Sequence, residues 1–468
     1  MRIALVNPIS KRPKTGFAPH LGLGYIAAAL KAVGHHVVLL DASLNPPSLL
    51  QTVTDHQPAL VGVTATSFTM AEAIGVARKV KEALPSTRIV IGGPHVAIAG
   101  SSVLEQNADF DFAVVGEGEA AMIELAEAVA DGRGPESFSS ILGLIFRKDG
   151  NVICNERRPW NEQLDQLPFP GFDAASFSQY TQYPLITSRG CPFNCVYCAS
   201  ALVWGRQWRQ RQPQSVVDEM EHALETYTWP DATFCITDDT FNLDPERSKD
   251  ICREIIRRNI QVRFYVQGLR ADRVDSELAS LLRQAGCLTV AIGIESANRR
   301  VLRDMHKGTN LEALTRGIRF LRDADLTVLG QFMIGNPGDT LETIIETIEF
   351  ARRSKLDQVN FYLALPYPAT ELWQYVEKNG RFLKHDFTEF HHYSDEPVFE
   401  TDDFSAEDRT KAYRLALRLS RRMEITCAIR RNLSRISRND LSAGDVVRVM
   451  GRGFSSFLYF LTGRRKQW

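Results

Sequence analysis

SRGCPFNCVYCAS, residues 188–200, is the stretch from which the rest of the chain is read. It gathers three of the eight cysteines, Cys191, Cys195 and Cys198, in a Cys-x3-Cys-x2-Cys loop, while the other five are scattered. The loop directly follows an apolar run, PLITSRG (184–190), that reads as a strand. Thiolates are soft ligands and select iron–sulfur clusters, zinc or cuprous ions. Structural zinc favours paired Cys-x2–4-Cys modules with four protein ligands, and no second pair is present. Three cysteines on one loop hold three corners of a [4Fe–4S] cubane and leave its fourth iron open to an exogenous ligand.

Outward from this loop, strands and helices alternate. Downstream, TFCITDD (233–239), VRFYVQGL (262–269), LTVAIGIES (288–296), VLGQFMIG (328–335) and QVNFYLAL (358–365) read as strands separated by amphipathic helical stretches. With 184–190 they make six β/α repeats, which predicts a barrel or an open partial barrel with its chemistry at the carboxyl ends of the strands. Upstream, RIALVNP (2–8), HHVVLLDA (35–42), ALVGVTAT (59–66), RIVIGG (88–93) and FAVVGEGE (112–119) alternate with helical stretches at 23–34 and 71–85. That pattern predicts a parallel, doubly wound sheet, with ligands outside the strand ends at Asn7-Pro8, Thr64–Phe68, Gly92–His95 and Gly116–Glu119. Between the two lies ILGLIFRKDGNVICNE, whose Asp149-Gly150 marks a hairpin, and the Pro-stiffened LPFPGFD (167–173). The expected organisation is a Rossmann-like domain over 1–132, a hairpin and linker over 133–182, a partial (β/α)6 barrel over 183–385, and a small, mostly helical and basic region over 386–468.

Composition narrows the function classes. A length of 468 residues suggests two to four domains, and 44% hydrophobic with 24% charged residues is ordinary for a globular chain. The net charge of −1 argues against nucleic acid as a partner. It is a sum of unlike parts, because residues 411–468 hold 14 Lys/Arg against 3 Asp/Glu. FSSFLYFL (454–461) in that tail, flanked by Arg452 and Arg464-Arg465-Lys466, has the make-up of an interfacial segment for anionic headgroups, or of a helix packed on the barrel. No run of about 18 apolar residues predicts a spanning helix. MRIALVNPIS enters directly as a strand without a signal-peptide pattern, so the expectation is a cytoplasmic setting, extending to peripheral contact with the inner membrane face through the basic tail.

The three-cysteine loop resembles that of the radical S-adenosylmethionine (SAM) family. The resemblance implies that Cys191, Cys195 and Cys198 carry a [4Fe–4S] cluster whose open iron binds SAM, and that Tyr197, before the third cysteine, packs on the adenine. It extends to strand ends: Glu295 and Ser296 resemble the segment at the SAM ribose and methionine, and Gln331, Gly335 and Asn336 the apolar stretch at the adenine. Asp238 and Asp239 stand where many relatives carry Gly-Gly-Glu for the SAM amino group, and Gln267 and Arg270 close the next strand at the same mouth. An α/β domain ahead of the cluster resembles the cobalamin-binding domain of the cobalamin-dependent members. Thr64, Thr66, Ser67, Phe68, Gly92, Gly93, His95, Gly116, Glu117 and Gly118 are the residues implied at the corrinoid. The Asp-x-His-x-x-Gly loop that gives cobalt a histidine elsewhere is absent, so the loop at Thr66–Phe68 or His20 is implied under the metal. Methylthiotransferases need three N-terminal cysteines, and residues 1–153 hold none.

The implied activity is reductive cleavage of SAM to a 5′-deoxyadenosyl radical and C-methylation of an unactivated carbon in a small-molecule or lipid-like substrate. A reductase such as flavodoxin or ferredoxin is implied as electron donor. A cobalamin-dependent oxidative cyclase or rearrangement enzyme is the alternative within the family, and a zinc-dependent RNA-binding module the alternative outside it.

Overall fold

The computed structural model describes residues 1–8, 17–44, 49–229, 232–391 and 394–437. FSSFLYFL and most of the basic tail lie outside the described residues.

The first sheet has seven strands in the order β2-β1-β3-β4-β5-β6-β7. They are β1 (Arg2–Asn7), β2 (His36–Asp41), β3 (Leu60–Thr64), β4 (Arg88–Gly92), β5 (Phe112–Val114), β6 (Leu144–Lys148) and β7 (Asn151–Cys154). The first five run parallel. Alternate residues of each strand face opposite sides of the sheet, and each side has its own core. Ile3 and Leu5 pack with Leu23, Ala27, Met122 and Leu125 from helices Leu21–Ala32 and Gly118–Ala130. Ala4 and Val6 pack with Val53, Ala73 and Ala77 from helices Leu49–His56 and Met70–Ala83. The predicted strand over 112–119 stops at Val114, because Gly116 turns the chain (φ +93°) and Gly118 opens an Ala-rich helix. The hairpin read from Asp149-Gly150 does form. Its strands add antiparallel to β5 and so extend the first sheet.

The second sheet consists of β8 (Tyr183–Leu185) and, after a two-residue ribbon of β9 (Ser188–Arg189) with β10 (Arg209–Gln210), of β11 (Thr233–Ile236), β12 (Arg263–Leu269), β13 (Cys287–Glu295), β14 (Thr327–Ile334) and β15 (Gln358–Leu363). All six pair in parallel and in chain order from β8 to β15, and the two end strands do not pair with each other. The partial barrel is therefore open. The helices between strands start where polar caps take up the first N–H groups: Asp244, Asp275, Asn310 and Thr340 each accept from the first turn of their helix. In β14 and β15 fully buried residues alternate with half-buried ones. The buried set faces the helices, and the half-buried set (Gln331, Met333, Asn360, Tyr362) lines the inner concavity.

Beyond the sheet, β16 (Gly380–Phe382) pairs antiparallel with β17 (Phe399–Thr401). Helix Ala406–Ser437 then packs along β15, burying Ala412, Tyr413 and Ala416 in the barrel core. Arg409, 1% exposed, lies 4.1 Å from the Phe399 ring and 4.8 Å from that of Phe404. Its guanidinium donates to the Phe404 carbonyl (3.0 Å), the Thr401 hydroxyl (3.1 Å) and the Gly335 carbonyl (3.3 Å).

Candidate cofactor sites and their junction

The three-cysteine loop leaves the sheet at β9. Asp238, 3% exposed, fixes this exit: its carboxylate accepts from the Thr187 amide, the Thr187 hydroxyl and the Ser188 hydroxyl, each at 2.6 Å. All its oxygens face the strand exit, so Asp238 does not stand open for a SAM amino group as the resemblance implied. Gly190 (φ +87°) makes the turn into Cys191, and a Cβ there would fall on the Gln207 carbonyl oxygen. Cys191, Cys195 and Cys198 line one cavity of about 90 Å³ together with Phe193, Val196 and Leu202. The surrounding protein raises the Cys195 thiol and pushes that of Cys198, open to solvent on one side, up to about 12. Without a cation between them these thiols stay protonated.

Among the described residues, no three His, Cys, Asp or Glu side chains converge as a single metal ion requires. Three thiols lining one cavity can supply three corners of a cubane, which takes one cysteine sulfur per iron. Thr240 sits beside Cys191 (Oγ1 to Sγ, 3.7 Å), and Asp239 accepts from Ser200, whose own amide donates to Cys198 Sγ at 3.4 Å. Asp239 thus stays at the cluster loop, where Asp238 does not.

Two cations that sequence reasoning placed imperfectly or missed hold this loop. Arg270 lies 4.2 Å over the Phe193 ring and donates to the carbonyls of Lys307 (3.4 Å) and Gly308 (3.1 Å). Lys307, absent from the sequence reading, donates to Glu295 at 3.0 Å and to the Tyr197 hydroxyl at 3.3 Å, and Tyr197 donates to the same Glu295 oxygen at 3.2 Å. Burial disfavours the Lys307 charge, but Glu295 outweighs it and holds the ammonium above its usual range. Glu295 is non-glycine yet lies at φ +65°, a strain held in place by Lys307 and Tyr197. Ser296 turns away, its hydroxyl accepting from the Asn298 amide (3.2 Å) and lying 3.4 Å from that of Thr347.

Gln331 is half-buried on the inner face, in register with Gly293 and Asn360. Exposed Gln267 donates to Cys235 Sγ at 3.2 Å. Past β14, Asp339 accepts from the Gly335 and Asn336 amides, both at 2.9 Å, and from Thr343 at 3.0 Å. Asn336 is 2% exposed and its side-chain oxygen has no partner. Such an orphaned acceptor is what an adenine-binding turn leaves for its ligand, so these residues fit SAM.

At the first sheet, Thr64, Thr66, Ser67, Phe68, Gly92, Gly93 and His95 gather at the adjacent ends of β3 and β4. Thr64 Oγ1 lies 3.4 Å from His20 Nε2, which spends His20 on the sheet end, and Ser67 Oγ lies 3.1 Å from His95 Nδ1. Burial holds His95 below its usual range, hence neutral. A Cβ at Gly93 (φ +99°) would strike Thr64 Oγ1 at 2.7 Å and the Ala65 carbonyl at 2.8 Å, so only glycine fits. Neutral and mostly small, these residues at adjacent strand ends fit a corrinoid.

Glu117 departs from the expected role. Its oxygens accept from Arg189 (2.7 Å), twice from Arg209 (2.8 and 2.9 Å) and from the Asn161 amide (2.7 Å). Arg189 also donates to Glu119 at 2.8 Å. The four side chains are 2–13% exposed. Burial pushes the Glu117 carboxyl up, but Arg189 and the hydrogen bonds outweigh it and hold the group below the usual carboxylate range. The turn at Gly116–Glu119 therefore ties the first sheet to the strand that enters the cysteine loop. Both sides meet again at one apolar core that includes Leu365, Leu372 and Phe390, against which Phe68, Tyr197, Met333 and Tyr367 pack, with Phe387 6.4 Å from His95. Arg189, Arg209 and the 365–390 segment were not legible as site elements, because each acts only across the domain junction.

Comparison with known proteins bears on these geometries. The profile of the radical SAM superfamily matches residues 185–351, and that of the B12-binding domain matches residues 15–126. An uncharacterised methyltransferase of Pyrococcus horikoshii is 31% identical over 89% of this chain and 91% of its own length. The anaerobic magnesium-protoporphyrin IX monomethyl ester cyclase of Rubrivivax gelatinosus is 29% identical, covering 80% of this chain and 70% of its own. In fold, the chain resembles the radical SAM methyltransferase TsrM of Kitasatospora setae, solved with cobalamin and a [4Fe–4S] cluster, at a TM-score of 0.69 and 23% identity over 81% of this chain and 78% of that one. With a three-cysteine loop, both family profiles matched and a relative this similar over nearly its whole length, the chain belongs to the cobalamin-dependent radical SAM enzymes.

Proposed function

We propose that this enzyme methylates an unactivated carbon of an apolar small molecule or lipid-like metabolite. The observation that carries the reading is the apolar core around Leu365, Leu372 and Phe390, against which Phe68 beside the corrinoid sheet end, Tyr197 of the cysteine loop and Met333 of the inner barrel face all pack, with Phe68 edge-on to Tyr367 at 6.2 Å. Bound at their sites, the [4Fe–4S] cluster supplies the electron that cleaves SAM, and cobalamin supplies methyl transfer. The chain's own residues do the rest. Lys307, Glu295 and Tyr197 orient the cysteine loop, Asp239 and Ser200 brace its far side, and the 365–390 segment packs on Phe68 of the first sheet and on Tyr197 and Met333 of the second. Apolar packing across the two sites favours the exclusion of water that a carbon radical requires, and holds the two sites close. An apolar, aromatic wall favours an apolar substrate face over a charged one.

On this reading the electron donor is a reductase of the flavodoxin or ferredoxin class, and the setting is cytoplasmic, where free thiols stay reduced. Among the described residues no helix is long and apolar enough to cross a membrane. Contact with an anionic membrane face rests on the basic tail alone, and equal flotation of full-length protein and a truncation after Asp440 with anionic vesicles removes it.

The decisive experiment is anaerobic production with cobalamin, metal analysis, and assay of SAM turnover products. Methylation yields S-adenosylhomocysteine together with 5′-deoxyadenosine. 5′-Deoxyadenosine alone favours the cyclase or rearrangement chemistry suggested by the Rubrivivax relative. Neither product from protein with iron and cobalamin bound overturns the reading.

A further inference from the structure

Asn7 ends β1, is 0% exposed, and neither its amide nitrogen nor its amide oxygen has a hydrogen-bond partner. A buried carboxamide with nothing to bond is a cost the fold carries, because desolvation is not repaid. Such groups are uncommon in native proteins and mark sites where a partner is missing. Among the described residues only one other Asn or Gln side chain has a buried orphaned atom, Asn336, which sits in the turn that fits SAM. Asn7 thus ends a strand one in from the edge of the first sheet, and Asn336 follows a strand one in from the edge of the second.

The neighbours of Asn7 do not stand free to satisfy it. Asp41, its register partner on β2, accepts from the Ser43 amide (2.9 Å) and the Tyr180 hydroxyl (3.1 Å). Thr64, ending β3 on the other side, lies against His20. Topology supplies the second observation. β1 lies between β2 and β3, and the connection from β1 to β2 packs on one face while the connection from β2 to β3 packs on the other. The end of β1 is therefore the topological switch point of the sheet, the place where open α/β sheets bind their ligands.

We propose that the Asn7 side chain is a cobalamin contact, its carboxamide pairing with one of the carboxamide arms on the rim of the corrin ring. Two carboxamides meet through reciprocal N–H···O bonds, donor to acceptor in both directions, which satisfies both orphaned atoms of Asn7 at once. The proposal rests on the cobalamin assignment and adds a residue ahead of the matched B12-binding segment at 15–126.

The test compares full-length wild type, Asn7→Leu and Asn7→Ala, prepared without cobalamin and titrated with hydroxocobalamin, alongside thermal unfolding of each apo-protein. Leucine matches asparagine in shape and removes the orphaned polar atoms. Asn7→Leu is expected to unfold at the same temperature as wild type or higher, while its dissociation constant for hydroxocobalamin rises at least tenfold. Asn7→Ala should weaken binding to a similar degree, whatever the cavity does to its melting point. A contact that serves the fold alone moves the other way: an Asn7→Leu protein that melts lower, or either variant binding hydroxocobalamin like wild type, overturns the proposal. Wild type that takes up no hydroxocobalamin overturns the cobalamin assignment with it.

Discussion

Replacing Arg189 with methionine tests whether the junction between the two sheets is held by charge. The substitution keeps most of the side-chain length and removes the guanidinium that bridges Glu117 and Glu119. Breaking a buried pair by deleting one partner costs about 3–5 kcal/mol. Glu117 keeps Arg209 and the Asn161 amide, so it is not left bare. Glu119 is left without its bridging cation, but at 13% exposure water reaches it in part. Arg189 also lies 5.1 Å over the Tyr25 ring and 5.4 Å from that of Trp204, contacts worth about 0.5–1 kcal/mol each. The expected loss is ~2–4 kcal/mol. Urea unfolding of the apo-protein, followed by tryptophan fluorescence, reads it directly, because Trp160 and Trp204 stack on Arg209 and Arg189 at this junction. Glu119→Gln alone should cost about 1 kcal/mol. The double variant should recover a coupling of about 1–2 kcal/mol, since the charge that Arg189→Met strands is then gone. In turnover, Arg189→Met should form more 5′-deoxyadenosine per methylated product, as the two cofactor sites lose their fixed spacing. A loss under about 1 kcal/mol, or strict additivity of the two changes, refutes the reasoning.

Three further outcomes follow from the same structure. Gly93→Ala, forced into φ +99° against Thr64 and Ala65, should destabilise the apo-protein by about 1–3 kcal/mol and weaken hydroxocobalamin binding, both readable by thermal shift with and without the ligand. Lys307→Met leaves Glu295 without its ammonium and should lower stability by about 3 kcal/mol while weakening SAM binding in calorimetry; Lys307→Arg should restore part of both. Burial pushes the Asp339 carboxyl up to about 6, above its unfolded value, so its contribution to stability is full below about pH 4 and is lost as pH rises through 6. The unfolding free energy of wild type relative to Asp339→Asn should therefore fall by about 3 kcal/mol across that window, and a flat difference removes the assignment.

Much of this was legible in the chain because it is local. Six strands of the second sheet and five of the first appear as apolar runs at βα spacing, and the cysteine loop is complete within eight residues. Helix Gly118–Ala130 was hidden by its Gly-rich start, which reads as the tail of a strand, although the Ala-rich run behind it favours a helix. Glu117 was misread for a deeper reason. The residue that claims it, Arg189, is 72 positions away, and only the packing of one sheet end on another brings them together. Lys307 carries no motif of its own, and its role arises from meeting Tyr197, 110 positions earlier. Asp238 looked like one of a ligand pair, yet the strand exit at Thr187 and Ser188 uses its oxygens.

The grip of Arg409 on the Gly335 carbonyl sets an order of assembly. On a ribosome the corrinoid sheet has all its strands once residue 154 has emerged, and the cysteine loop follows by 198. The turn at Gly335–Asn336 has its strand by 334 and Asp339 on its amides soon after, but its carbonyl side is not braced until a guanidinium seventy-four residues later has been made and folded back. Domains fold in the order they are synthesised, so the first sheet is complete well before this turn is locked. A protein stalled or clipped ahead of residue 409 would carry both sheets and the cysteine loop while the carbonyl side of its Gly335 turn stays unheld.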